Sequence, residues 1–121
     1  MQWFVARIVF RIISGDGDHG PQFDEQLKLI SARDEKAAFE KAHLIGRSGE
    51  DCFPNSLGEN VVWKFIGIVE LTKINGLEDG TELSSKIVEA DHAGNYLDFI
   101  RQKNQDIESS LVSLKLRTIA P

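Results

Sequence analysis

The stretch from Glu59 to Ile74, ENVVWKFIGIVELTKI, constrains the fold more than any other part of the chain. It is the longest apolar run. Val61, Trp63, Phe65, Val69 and Leu71 fall on one parity with Gly67 between them, while Val62, Ile66 and Ile68 fall on the other with Lys64, Glu70 and Thr72. β-Branched and aromatic residues placed at period two specify a strand and not a helix. Because both parities are apolar in the middle, the pattern predicts a central strand covered on both faces for part of its length.

The rest of the chain reads as material that pairs with this strand or covers it. Trp3 to Ile13 alternates, with Phe4, Ala6, Ile8, Phe10 and Ile12 forming an apolar parity. The opposite parity, Trp3, Val5, Arg7, Val9 and Arg11, is mixed. This predicts a strand with one core face and one partly wet face. The turn SGDGDHGP follows, and Gln22 to Ile30 extends again with Phe23, Leu27 and Leu29 on one parity. So short a link favours antiparallel pairing.

From Asp34 to Arg47 the spacing becomes helical. Ser31 or Asp34 can cap this helix, Glu35 suits its dipole, and Gly46 or Gly49 can end it. Ala38, Ala42 and Ile45 form a stripe flanked by Phe39 and Leu44, and the small alanines imply close approach to a sheet. Ser48 to Asn60 is a loop in which Cys52 and Phe53 are placed to pair briefly with the start of the central strand. After a second turn, NGLEDG, Thr81 to Glu89 alternates weakly and predicts a shorter edge strand. Beyond it Ala93, Tyr96, Leu97, Ile100, Lys103, Ile107, Leu111 and Leu114 recur at spacings of three and four, with Asp91 as a candidate cap. The tail LKLRTIAP is left open between helix end, extra strand and disorder. The order β-β-α-β-β-α implies a single α+β domain over residues 1–121, with a core to residue 89 and a C-terminal helix and tail over 90–121. An antiparallel sheet of about four strands, with helices packed on it, is expected.

Composition narrows the functional classes. The net charge of −5 resides largely in connections, at Asp16, Asp18, Asp24, Glu25, Glu50, Asp51, Glu78 and Asp79. An acidic chain without a basic stripe is repelled by phosphate backbones, which argues against nucleic acid. One cysteine, Cys52, fits a reducing cytosol. MQWFVARIVF carries Arg7 and Arg11 inside its apolar run, so neither a signal peptide nor a membrane segment is expected.

Motifs for chemistry are sparse. Gly15, Gly17 and Gly20 match a dinucleotide-type spacing, but Pro21 and a strand follow where a phosphate-binding helix is required. A helix-loop-helix calcium loop starting at Asp16 fails at its fifth, sixth and twelfth positions, Gly20, Pro21 and Leu27. A looser metal site from Asp16, Asp18, His19 and Asp24 competes with a solvated turn. Cys52, His43 and His92 supply no zinc spacing, and no cofactor is implied. Arg7 and Arg11 on the mixed parity, with Trp3 and the Trp63 parity, form the candidate binding surface; its alternative is a sheet face with snorkelling arginines, or one covered by the last helix.

WFVARIVF, PQFDEQLKLI, DEKAAFEKAHLIG and ENVVWKFIGIVEL followed by LEDGTELSSKI resemble the small bacterial family known as domain of unknown function 4288, over about Trp3 to Ile87. WKFIGIVEL followed by DGTELSSKI is the most specific part, and Ser84 departs from the aromatic that the family pattern carries there. The resemblance implies the domain and no particular chemistry. A non-enzymatic, protein-binding or self-associating module is therefore expected, with an acidic neutralising partner of a basic toxin or enzyme as one specific form. A metal-dependent or hydrolytic enzyme built on the Asp16–Asp24 turn is the alternative.

Overall fold

The alternating N-terminal stretch forms β1 (Gln2–Ser14) in the computed structural model, which describes residues 1–119. It is followed by β2 (Gln22–Ala32), α1 (Glu35–Ser48), β3 (Asp51–Pro54), β4 (Asn60–Ile74) and α2 (Ala93–Ile119). The strands form one antiparallel sheet in the order β2-β1-β4-β3. β4 is central, as expected of Glu59 to Ile74, and β1 is central beside it. The chain divides into two compact units, Met1–Ser85 and the segment from Lys86 onward.

The core of the first unit lies between α1 and one sheet face. Phe4, Ala6, Ile8 and Phe10 of β1 are buried there with Ile30, Ala32, Ala38 and Ala42. The apolar parity of β1 is thus the core parity. On α1 the buried residues are Ala38, Ala42 and Gly46, all small, so the helix axis sits close to the sheet. Asp34 caps the helix: its Oδ1 accepts the Ala37 N–H at 2.8 Å, and Gly49 ends it. Asp34→Ala is expected to lower stability by about 1 kcal/mol, read as an earlier urea midpoint with an unchanged slope.

β4 departs from the expectation of two covered faces. Its register against β1 shifts twice, between Arg7 and Ile8 and between Val9 and Phe10. Phe10 pairs with Phe65 but Val9 with Gly67, and Ile8 pairs with Ile68 but Arg7 with Glu70. Ile66 and Val69 are therefore extra residues at bulges. Each bulge switches the parity that faces the core, so Trp63 and Phe65, then Ile68, then Leu71 all pack against it. Ile66 and Val69 are left out, at 53% and 62% exposure. The double apolar parity reflects a strand that changes step, not one buried on both sides.

The fourth strand is also not the expected one. Cys52 and Phe53 do pair with β4, opposite Val62 and Val61, and β3 supplies the sheet's last strand. Thr81 to Glu89 forms no strand. Gly76 and Gly80, with φ of 131° and 88°, turn the chain after β4, and the weakly alternating segment exposes Leu83, Ile87 and Val88. Just before β3 begins, the Glu50 side chain accepts the Phe65 N–H at 3.1 Å, satisfying a β4 donor without another strand.

α2 is helical as its spacing predicts. His92, rather than Asp91, receives the Asn95 N–H on its Nδ1 at 3.2 Å. The open question over LKLRTIAP closes as helix up to Ile119, and the last two residues lie outside the described ones. No helix among the described residues is long and apolar enough to cross a membrane.

Candidate functional site

Antiparallel pairing puts facing residues on the same side of a sheet, so the register alone sorts the candidate residues. On the side away from α1, β1 presents Trp3, Val5, Arg7, Val9, Arg11 and Ile13. Their β2 partners include Ser31, Leu29, Leu27, Glu25 and Phe23. Arg7 and Glu70 face one another across β1 and β4, and the Arg7 Nε donates to Glu70 Oε2 at 3.1 Å. At 27% and 40% side-chain exposure this ion pair is worth at most about 1 kcal/mol. Its main effect is to neutralise the middle of the face. Arg11 lies opposite Lys64, which leaves that end cationic.

Along β2 the face carries apolar side chains on either side of Glu25. Phe23, Leu27 and Leu29 are 54%, 48% and 46% exposed, and Trp3 is 36% exposed. Val5 and Ile74 on the same side are buried. The inverse arrangement holds on the helix side of β2, where Asp24, Gln26 and Lys28 occupy alternate positions before Ile30 and Ala32 enter the core. β2 is an edge strand, so its outer N–H and C=O row is also unpaired by any strand of the sheet.

Trp63 does not share this face. It pairs with Ile12, on the helix side, and stacks on Phe53 with ring centroids 5.6 Å apart and planes 23° apart. Its Nε1 donates to Asp24 Oδ2 at 3.3 Å, and Gln26 Nε2 donates to the same oxygen at 2.6 Å. A buried indole N–H needs an acceptor, and the polar parity of β2 brings one to it. Trp63, Phe53, Asp24, Gln26, Gly49 and Asp51 line a shallow recess. Asp24 and Asp51 thus bring two carboxylates beside the stacked rings.

The β1–β2 turn does not gather its acidic residues with Asp24. Asp16 Oδ1 accepts the Asp18 N–H at 3.0 Å, closing the turn on itself. His19 Nε2 accepts the Ser14 N–H at 3.0 Å, and its Nδ1 donates to the Gly20 carbonyl at 2.7 Å. Both ring nitrogens are thus occupied with backbone. Among the described residues no three His, Cys, Asp or Glu side chains are placed to hold a metal together.

Two placements were beyond sequence reasoning. The Trp63–Asp24 bond joins strands that are not neighbours, and nothing local signals it. The direction of Phe23, Leu27 and Leu29 depends on register, although their shared parity was visible.

Fold and surface together define a two-layer α+β domain with one sheet face under a helix and the other carrying exposed apolar side chains. The chain belongs to the family described as Domain of unknown function (DUF4288), whose model matches residues 3–85. No curated protein and no solved structure matches it. The match ends where the first compact unit ends and leaves α2 outside it.

Proposed function

We propose that the domain is a non-enzymatic protein-binding module, and that the sheet face away from α1 receives the partner. The observation that carries this reading is the row Phe23, Leu27 and Leu29, each about half exposed along one edge strand. Exposed apolar side chains on one parity of an edge strand, with Ile66 and Val69 also exposed on β4, are of the kind that partners cover. The Arg11–Lys64 end supplies a cationic rim that calls for a carboxylate at that spot. The net charge of −5 favours encounter with a basic partner through steering, which suits a neutralising role toward a basic toxin or enzyme.

The test uses the full chain as bait for the gene products encoded beside it, with a Leu27→Asp, Leu29→Asp variant in parallel. A partner held by the natural chain and lost by the variant is expected. Substitutions at such exposed positions change stability by only about 0.5 kcal/mol each, so circular dichroism and urea midpoint should stay close to those of the natural chain. Equal retention by both forms, or no retention by either, would overturn the reading.

A further inference from the structure

The 27 residues of α2 carry a different kind of surface. Leu97, Ile100, Asn104, Ile107 and Leu111 are spaced three, four, three and four apart. This is the alternation of heptad positions a and d, with Leu97, Asn104 and Leu111 at a and Ile100 and Ile107 at d. The four apolar members are 45–62% exposed. A helix that lies on a sheet buries a wider stripe, adding e or g positions to a and d. Here the e positions are Arg101 and Glu108, and Lys103 and Ser110 stand at g after Tyr96. So narrow a seam between charged flanks fits another helix.

We infer that α2 pairs in parallel with α2 of a second copy of this chain, along the Leu97–Leu111 seam. Charge complementarity points to the occupant, and Asn104 selects the direction. In a parallel pair, g of one helix meets e of the next heptad in the other, so Lys103 meets Glu108 of the second copy, twice by symmetry. The antiparallel register that sets Arg101 against Glu108 of the second copy sets Lys103 against Ser110 and Asn104 against Ile107. Asn104 decides between the two directions. An amide at a seam position leaves a polar group unsatisfied against an apolar surface, but it hydrogen-bonds its counterpart when the same position of a second copy lies opposite. In the single chain Asn104 Nδ2 instead donates to Glu108 Oε1 at 3.2 Å, and Lys103 Nζ sits 5.4 Å from the Phe99 ring centroid. Both side chains are exposed and change rotamer at little cost. Leucine at a with isoleucine at d favours more than two strands, whereas a seam asparagine favours two, so the mass also reports which preference prevails.

The experiment is sedimentation equilibrium on the full chain over a concentration series. A mass of two or more chains is expected, falling to one chain in Leu97→Asp, Ile107→Asp. Lys103→Glu should weaken the assembly about tenfold, and adding Glu108→Lys to it should restore the original affinity. Asn104→Leu should keep or enlarge the assembly and raise its midpoint temperature. A monomeric natural chain, an assembly that survives the double aspartate change, or no rescue by the charge swap would each overturn the inference. None of these readouts depends on the sheet-face partner, so the two readings fail separately.

Discussion

Replacing Phe10 by alanine is expected to destabilise the first unit by about 3–5 kcal/mol, a large share of the usual total stability of about 5–15 kcal/mol. Phe10 is 2% exposed and stands where three elements converge. Its ring lies 6.0 Å from that of Phe65 on β4, centroid to centroid. Gly49, at the end of α1, passes so close that a Cβ there would meet Phe10 Cζ at 3.0 Å. Because strands and helix end fix all of these neighbours, the site cannot collapse to fill the cavity, and the cost belongs at the upper end of the range. Urea unfolding followed by tryptophan fluorescence, with Trp63 on the same sheet face, measures it. A loss below about 1.5 kcal/mol, the scale of a tolerated volume-conserving swap, would show that Phe10 is not packed as described.

The second large effect is expected from adding volume. Gly46→Val should cost about 3 kcal/mol, the upper range for overpacking. A Cβ at Gly46 would run into Phe65 Cε1 and stand 2.6 Å from Cδ1, so the ring must move. That ring is held on its other sides by Phe10 and by His43, whose centroid is 5.4 Å away in an edge-to-face arrangement. Gly67→Ala is the control. Nothing lies within 4 Å of a Cβ there, and its φ is not in the left-handed region. It should be neutral or slightly stabilising. Combining Gly46→Val with Phe65→Leu should recover part of the loss, because contacting residues couple. Additive losses in the double variant would place the cost elsewhere, in helix propensity or in the unfolded chain.

Much of the first unit was legible because its local signals agree with its fold. The apolar parity of Phe4 to Phe10 is the core parity, the alanine stripe of α1 meets the sheet, and Asp34 was among the named caps. Thr81 to Glu89 misled because weak alternation is a necessary property of an edge strand and not a sufficient one. β3, only four residues long, completes the sheet instead. The candidate binding residues were legible as a group only on β1. Trp3, Arg7 and Arg11 share a face because a single strand alternates, whereas assigning Trp63 to that face required knowing how β4 is registered against β1.

Sequence by itself determined which segments are strands and helices wherever a period ran for ten residues or so, because side-chain direction follows backbone period without reference to any partner. It also determined the heptad seam of α2, which is a property of one helix. Tertiary structure alone decided the two bulges that let both parities of β4 serve one core, since a bulge exists only between two strands. It alone decided that Phe23, Leu27 and Leu29 face away from the core, because a one-residue change of register would have turned them inward.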